Sequence, residues 1–481
     1  MTLALSVSAL AAGETGSITI NKAVKDQTYT IYRIFNLNDH NTDYSAINYK
    51  VNTKWAGFFA EGAAGLDYVT IDDMGYVTWK DNKKDAASLQ AFADAALKYA
   101  KDNNVENDGT KTAADSEVKF ENLELGYYLV HSALGSLCTL DTNMPNVTIE
   151  EKNQEPTNEK KVEEDSTGTL GSENDADIGQ MVKFVSEVTL PAGSENVTFH
   201  DKMSDGLTMV IGEEGKTGLT VYSDAELENI IPDGNWPQIV PGTDGCTFDV
   251  DLSSCISAYD KVYVVYYATV NENAKVGSEG NPNESWLSYG ETGTTTTVPS
   301  KTTTYTWKID VFKYTMVKGE NGAADTEKAL AGAEFILYKD VKNGESTTRY
   351  YAKATTVEGG YRFTEWTTDK AAATTFVTPD NGKFAIKGLD SDTYYQEETK
   401  APAGYNVLKA PVKVVIDNEG KVTYGNDNTA AAPDVKVLNQ TGTELPSTGG
   451  IGTTIFYVLG SVLVVAAGVL LVTKKRMDSK A

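Results

Sequence analysis

The residues with the clearest capacity for chemistry lie near the C-terminus, in a short segment that precedes an apolar run. This segment places a proline two residues before a Thr–Gly bond, and it consists of Leu445, Pro446, Ser447, Thr448 and Gly449. The proline restricts φ and stiffens the peptide into a shape that suits a cleft. The glycine leaves the preceding peptide bond uncrowded. These features indicate a processing site at the Thr448–Gly449 bond.

The residues after this segment predict how the site is held. Residues 451–472 form a run of 22 positions without a charge, which is long enough to cross ~30 Å of hydrocarbon. We therefore predict a transmembrane helix over 451–473. Three basic residues follow and favour a cytoplasmic location for this end: Lys474, Lys475 and Arg476. A GPI signal would lack this basic cluster, whereas an ordinary tail anchor would share both features.

The order of pentapeptide, apolar span and basic tail closely resembles the sortase sorting signal of Gram-positive surface proteins, here over 442–481. The resemblance implies that a sortase cysteine attacks the Thr448 carbonyl and forms a thioester, which an amine later resolves. It also implies attachment to peptidoglycan, with the membrane helix removed from the mature protein. The expected location is the cell wall and the extracellular surface.

The first 13 residues predict a signal peptide. They are apolar and end in small residues at Ala9 and Ala11, as signal peptidase requires. The positively charged beginning is missing, so the start is expected to be truncated. The alternative is a buried strand.

Composition limits the possible functions. The chain has 481 residues, and the length prior suggests about three domains. Lys and Arg number 42 and Asp and Glu number 68, for a formal charge of −26. A surface this acidic repels nucleic acid, so we expect no DNA or RNA partner.

Cysteine and histidine are scarce. An odd number of cysteines rules out a fully paired disulfide framework, and neither residue type shows metal-ligand spacing. We therefore expect no metal site and no cofactor. The residues concerned are Cys138, Cys246 and Cys255, with His40, His131 and His200.

The middle of the chain is predicted to be all-β. Short segments alternate apolar and polar residues between Gly, Asn and Asp, as at 17–22, 262–267 and 412–416. One helix is predicted near 85–102, with apolar residues on one stripe.

Two segments are the best boundaries between domains. The first is 153–157, around Pro156, and the second is the Thr-rich stretch 290–304, for which a β-branched strand is the alternative over part of its length. The blocks that they separate contain similar sequence segments, which indicates repeated architecture. The predicted domains are 14–153, 154–304 and 305–441.

Family resemblance is specific in the third block. Residues 332–338 (GAEFILY) and 394–405 (YYQEETKAPAGY) resemble the Cna B-type immunoglobulin-like domain of Gram-positive pilins, and the second segment resembles the pilin E-box. The middle block resembles the fimbrial isopeptide-forming domain through 199–201, 206–207 and 280–283. The resemblance implies tandem immunoglobulin-like β-sandwiches and covers nearly the whole chain.

Such domains imply a particular internal reaction. A lysine, a carboxyl group and an asparagine in one core can form a Lys–Asn amide with loss of ammonia. Burial disfavours both the ammonium and the carboxylate, so both groups become neutral and the amine becomes a nucleophile. The carboxylic acid is then expected to donate to the asparagine carbonyl and polarise it.

In the third domain we assign Lys313, Glu398 and Asn439 to these roles. Lys313 continues the inward face of Ile309 and Val311. A solvated lysine and a turn asparagine are the alternative. The bond would close 126 residues, worth ~5 kcal/mol by loop entropy.

In the middle domain the corresponding set is Lys160, Asp201 and Asn283. Lys161 in place of Lys160, and Asn281 in place of Asn283, remain alternatives. In the first domain, where Lys22 is the corresponding lysine, we predict no bond.

A lysine at the end of the first domain joins subunits in shaft pilins. Here the residue at that place is Lys152, preceded by two glutamates, and a solvated surface lysine is the alternative. The chain is therefore predicted to be the major shaft subunit of a covalent pilus and not an enzyme. Expected partners are a pilus-class sortase, a housekeeping sortase, copies of itself and peptidoglycan, with host surface glycans or matrix proteins as candidate ligands. A non-polymerising wall-anchored adhesin, an ancillary base pilin and a wall-displayed enzyme are the rivals.

Overall fold

The computed structural model describes most of the chain between its two ends. The described residues are 15–40, 47–132, 134–137, 146–151, 154–191, 194–210, 218–232, 240–242, 245–256, 258–290, 293–320, 323–425, 430–431, 433–442, 458–459, 461–465 and 469. The predicted signal peptide, Lys152 and the pentapeptide 445–449 lie outside them. Described residues of the predicted sorting helix are helical, and none of the helices described is long and apolar enough to cross a membrane.

The first group of elements combines three small sheets with one helix. A three-stranded sheet has the order β10-β1-β7, a five-stranded sheet has the order β3-β2-β8-β9 with β6 on β2, and β4 pairs with β5. The bounds are β1 (Thr15–Asn21), β2 (Thr28–His40), β3 (Ile47–Val51), β4 (Val69–Ile71), β5 (Val77–Trp79), α1 (Ala86–Asp102), β6 (Gly109–Thr112), β7 (Glu117–Glu124), β8 (Gly126–Ser132), β9 (Gly135–Leu137) and β10 (Asn146–Glu150).

Helix α1 confirms the predicted helix. Asp85 caps its N-terminus by accepting a hydrogen bond from the Ser88 amide at 2.9 Å. The buried stripe includes Phe92 and Ala96, which pack against the aromatic core of the first group.

The second group is a sandwich of two sheets. One has the order β12-β11-β14-β20-β16 with β17 on β20, and the other has the order β13-β23-β21-β15-β19-β18 with β22 on β21. The bounds are β11 (Thr157–Glu164), β12 (Thr169–Gly171), β13 (Glu173–Asp175), β14 (Met181–Thr189), β15 (Thr198–Met203), β16 (Leu207–Met209), β17 (Thr220–Tyr222), β18 (Val240–Pro241), β19 (Phe248–Asp251), β20 (Lys261–Val270), β21 (Asn281–Tyr289), β22 (Thr295–Thr296) and β23 (Ser300–Tyr305).

The third group forms one hydrogen-bonded sheet of twelve strands, ten of which follow one another in a continuous path. Its order is β25-β24-β30-β28-β27-β26-β31-β32-β33-β34, with β29 on β26 and β35 on β24. The bounds are β24 (Trp307–Val317), β25 (Thr326–Ala329), β26 (Glu334–Asn343), β27 (Ser346–Val357), β28 (Gly360–Thr367), β29 (Phe376–Val377), β30 (Lys383–Leu389), β31 (Asp392–Lys400), β32 (Val412–Ile416), β33 (Val422–Tyr424), β34 (Ala430–Ala431) and β35 (Val435–Leu438). The all-β, immunoglobulin-like prediction is confirmed.

The Thr-rich stretch is partly strand. Residues 300–305 form β23, which pairs with β21, and Thr302 and Thr304 are buried there. Threonine fits this position because a β-branched side chain packs well on a pleated surface. Thr306 alone separates β23 from β24, so the strand alternative holds over this part of the stretch.

The second and third groups meet through a cluster of buried acids. Asp177 accepts hydrogen bonds from the indole of Trp366 at 2.6 Å and from the Asp390 amide at 2.9 Å. Nearby, Ile178 N–H donates to the Gly388 carbonyl at 3.0 Å. A Cβ on Gly388, whose φ is +91°, would lie 2.5 Å from the Ile178 side chain, so the close approach requires glycine here.

The charge of this cluster opposes its burial. Desolvation, together with neighbouring carboxylates, raises the pKa of Asp390 to about 9. Burial likewise raises the pKa values of Asp165, Asp175 and Asp177. Lys339 provides the opposite charge, 3.5 Å from Asp177 and 3.1 Å from Asp392.

We expect Asp390→Asn to stabilise the protein more as pH rises. The carboxyl titrates near ~4 when unfolded and near 9 when folded, so the folded state binds more protons between these values. The contribution of the Asp390 carboxyl to the stability of the folded protein is therefore greatest at acidic pH, and it is lost as pH rises through that window. Thermal unfolding of both proteins at pH 5 and pH 8 should show a melting-temperature advantage of the variant that grows by a few degrees. A difference that is constant or that shrinks with pH would contradict this account.

Candidate functional site

The first reactive set lies in the core of the third group. On β24, every second residue faces inward, and Ile309, Val311 and Lys313 are all fully buried. Lys313 thus continues the apolar face because the strand period carries it there. β35 pairs with β24 in parallel, with Val437 opposite Lys313, which brings the following Asn439 into the same core.

A single carboxyl group bridges the two other members of this set. Glu398 Oε1 lies 3.2 Å from Lys313 Nζ. Its Oε2 accepts a hydrogen bond from Asn439 Nδ2 at 3.1 Å and another from the Leu408 amide at 2.8 Å. The side chains of Lys313 and Glu398 are completely buried, so no solvent screens their interaction.

The environment favours a neutral amine. Burial lowers the pKa of Lys313, although Glu398 opposes the shift. The ring of Phe335 lies 5.7 Å from Nζ, which is an apolar neighbour for the amine. The expected hydrogen bond from the acid to the asparagine carbonyl is not formed. Asn439 Oδ1 has no hydrogen-bond partner among the described residues. The carboxyl instead contacts the nucleophile and the amide nitrogen that would leave.

The second reactive set joins the two sheets of the second group. Lys160 on β11 comes from one sheet, while Asp201 on β15 and Asn283 on β21 come from the other. All three are buried. Lys160 Nζ contacts Asp201 Oδ2, and both contact the hydroxyl of Tyr266.

The hydroxyl of Tyr266 contacts all three members of this set, and the Asn283 side chain also interacts with Asp201. The Tyr266 hydroxyl accepts a hydrogen bond from Asn283 Nδ2 at 3.3 Å. Burial lowers the pKa of Lys160 to about 8 and raises that of Asp201. Both shifts have the same cause, which is that the charged forms lose their hydration. The amine is therefore neutral in a larger fraction of molecules at neutral pH than an ordinary lysine amine is.

The alternatives to Lys160 and Asn283 occupy different positions. The Lys161 side chain is 40% exposed, and it pairs with Glu159 at 2.9 Å. The Asn281 amide is engaged with backbone groups, accepting from the Lys275 amide at 2.8 Å and donating to the Thr304 carbonyl at 3.1 Å. Neither side chain contacts Asp201.

The corresponding lysine of the first group points to solvent. Lys22 is 69% exposed and pairs with Glu150 at 3.0 Å. Asn146, a candidate asparagine for a bond to Lys22, accepts a hydrogen bond from Ser17 at 2.8 Å on the surface. No Lys–carboxyl–Asn set is thus assembled around Lys22 in the described part of this group.

Comparisons with known proteins agree with this architecture. Residues 316–429 match a family described as a prealbumin-like fold domain, and residues 438–479 match the LPXTG cell wall anchor motif. The trypsin-resistant surface T6 protein of Streptococcus pyogenes is 25% identical over 392 residues, which is 68% of this chain and 70% of that protein. These matches support a major pilin of the sortase-assembled type.

A solved pilin structure supports the same fold. The T6 backbone pilin of serotype M6 Streptococcus pyogenes, described as having a modular three-domain structure, has a TM-score of 0.50 and 18% identity to this pilin, and the match covers 85% of this chain and 81% of that one. The major pilin SpaA of Corynebacterium diphtheriae has a TM-score of 0.47 and 17% identity, covering 88% and 99%. The LPXTG motif and the pilin relatives locate this pilin on the cell wall.

The sequence alone does not identify Tyr266 as a member of the second reactive set. Tyr266 belongs to the alternating segment 262–267, where Val262, Val264 and Tyr266 are fully buried and Val265 is buried as well. That alternation predicts an inward tyrosine but cannot show which polar groups it meets on the opposite sheet. An inward hydroxyl in an otherwise apolar strand was the available signal, because a buried hydroxyl needs a partner.

We expect Glu398→Ala to prevent the crosslink of the third group. The full-length pilin, produced in cells without sortase, should have a mass ~34 Da below that of its sequence, or ~17 Da for each ammonia lost. The variant should show a deficit of only ~17 Da and a lower unfolding temperature, because a closed loop of 126 residues is lost, worth ~5 kcal/mol.

Glu397→Ala is the matched control for this variant. Glu397 is the adjacent residue, but it pairs with Lys370 on the surface at 2.9 Å. It should retain the full deficit. An intact mass equal to that of the unmodified pilin would refute both crosslinks.

We expect Tyr266→Phe to slow the reaction in the second group. The variant keeps the ring, which stacks on Phe184 with centroids 5.4 Å apart, but loses the hydroxyl that touches all three reactive side chains. Mass spectra taken during refolding should show slower loss of one ammonia. Tyr394→Phe, a buried tyrosine whose hydroxyl donates to the Asp390 carbonyl at 2.8 Å, should react at the normal rate. Equal rates in the two variants would assign Tyr266 a packing role only.

Proposed function

We propose that this pilin forms the shaft of the pilus through a bond between Thr448 of one subunit and Lys152 of the next. A pilus-class sortase forms the thioester at the Thr448 carbonyl, and the Lys152 amine displaces the enzyme's sulfur. A housekeeping sortase transfers the last subunit to peptidoglycan. The pilin itself catalyses nothing in trans.

We also propose that each subunit carries two internal Lys–Asn bonds. In each, the lysine Nζ attacks the asparagine Cγ, the Cγ–Nδ2 bond breaks, and ammonia leaves. The carboxyl group takes a proton from the amine and returns one to the leaving nitrogen. The observation that carries this proposal is the bridging position of Glu398, 3.2 Å from Lys313 Nζ and 3.1 Å from Asn439 Nδ2.

The location of these bonds suits a fibre under tension. In the third group the bond connects the first strand, β24, to the residue after the last strand, β35, and these strands already pair in parallel. A force applied to the two ends of this group would therefore act on one covalent link and would not separate the paired strands. In the second group the bond connects β11 to β21, whose neighbour β23 leads into β24.

The acids that flank Lys152 in the sequence support its proposed role, because each has another partner. Glu150 pairs with Lys22, and Glu151 is buried beside Ser132. Glu155 accepts a hydrogen bond from the Tyr289 hydroxyl at 2.8 Å. Glu151 and Glu155 are thus both held between the first and second groups, and connecting segments of this kind commonly carry function.

Lys152→Arg tests the proposed polymerisation. Arginine keeps the charge but its guanidinium stays protonated and cannot act as the nucleophile. In wall extracts boiled in detergent, the variant should be wall-linked as a monomer while the ladder of high-mass species disappears.

Thr448→Ala is the companion variant, and it should lose both the ladder and the wall linkage. A ladder that persists in Lys152→Arg would assign the joining to another lysine, of which the exposed Lys161 is the nearest candidate. A wild-type protein without any ladder would favour a monomeric adhesin, with host glycans or matrix proteins as its ligands. A ladder built of other pilins on a single copy of this chain would favour a base pilin.

A further inference from the structure

A second cluster of reactive side chains lies on the outer face of β15. His200 and Asp249 are cross-strand partners on β15 and β19, and Cys246 lies two residues before β19. One ligand atom from each of the three lies within 4.8 Å of the others. An imidazole, a thiol and a single carboxylate form a mixed N, S and O donor set. Such a set suits zinc, whereas calcium and magnesium prefer oxygen ligands alone.

The imidazole of His200 is held in a defined orientation. Its ring stacks on Trp286, with centroids 5.4 Å apart and planes inclined by 18°. Nε2 lies 2.8 Å from Ser288 Oγ, and Nδ1 lies 2.8 Å from Asp249 Oδ1. In metal-binding histidines, an outer hydrogen bond on one ring nitrogen commonly orients the other nitrogen toward the ion. Ser288 is placed to provide that bond.

Burial and access are also suitable. The side chains of His200 and Asp249 are 12% and 4% exposed, whereas Cys246 is half-buried and not in a disulfide. The next residue, Thr247, anchors the segment by donating its amide to the Asp201 carbonyl at 2.7 Å. An ion can therefore enter from the cysteine side. The net charge of −26 raises the local concentration of divalent cations around the protein.

We propose that His200, Cys246 and Asp249 bind one Zn²⁺ ion, with a water molecule as the fourth ligand. On binding, the Cys246 thiol releases its proton to solvent. The Nδ1 proton of His200 moves to Nε2, which then donates to Ser288 Oγ. The His200–Asp249 hydrogen bond is exchanged for two bonds to the ion. The ion ties β15, β19 and the segment before β19 together, on the side of the sheet opposite Asp201.

Cobalt binding tests this site, because Co²⁺ reports directly on thiolate coordination. The full-length protein, purified in detergent and freed of metal by a chelator, should develop a thiolate-to-cobalt charge-transfer band with one Co²⁺ per chain. Added Zn²⁺ should abolish that band. Asp249→Asn and His200→Gln should weaken cobalt binding roughly tenfold or more, and chelator should lower the unfolding temperature of the wild type but not of these variants.

Cysteine variants separate this site from the other thiols. Cys246→Ser should lose the band, whereas the double variant Cys138→Ala, Cys255→Ala, in which Cys246 is the remaining thiol, should keep it. Circular dichroism of each variant checks that the fold is intact. A wild-type protein without the band, or a band that survives Cys246→Ser, would overturn the proposal. In those cases the His200–Asp249 hydrogen bond serves the fold alone.

Discussion

The burial of a lysine amine beside a carboxyl group, inside the core of a β-sandwich, is the constraint on which the rest of this pilin depends. Two opposite charges in an apolar core lose more hydration than their attraction returns, unless their geometry is good and their remaining polar atoms are bonded. Lys313 with Glu398, and Lys160 with Asp201, are completely buried. Both amines have lowered pKa values because burial disfavours their charge. A neutral amine next to an amide can act as a nucleophile, so the burial that costs free energy also favours the proposed reaction.

The strand order explains why this arrangement is possible. Each reactive lysine lies on the first strand of its group, and the partners come from strands far along the chain that the sandwich brings alongside. The two sets differ in how the carboxyl group is connected to the asparagine amide. In the third group the carboxyl of Glu398 bridges amine and amide by itself. In the second group the hydroxyl of Tyr266 lies between Asn283 and the Lys160–Asp201 pair. The two sets thus place the same types of residue in two different hydrogen-bond arrangements.

Beyond these cores, the groups of sheets are joined by polar contacts. Helix α1 reaches the second group through an ion pair of 2.8 Å between Lys101 and Glu195. The second and third groups share the acid cluster around Asp177, in which tryptophan indoles and one lysine compensate for several carboxyl groups. Only Thr306 separates β23 from β24. The second and third groups are thus joined by a one-residue connection and by side-chain hydrogen bonds across the junction.

The sequence by itself determined the all-β class, helix α1, the LPXTG signal and the inward position of Lys313, because these depend on local patterns, whereas the choice of Lys160 over Lys161 came from the structure. Strand alternation is a property of neighbouring residues, and it was enough to direct Lys313 inward after Ile309 and Val311. The tertiary structure decided what no local pattern contains, namely which side chains meet across two sheets. Tyr266 entered the second set, and Asn281 was bound to backbone instead, because register between distant strands determines such contacts. For the same reason His200, Cys246 and Asp249, whose spacing predicted no metal site, come together only when β15 pairs with β19.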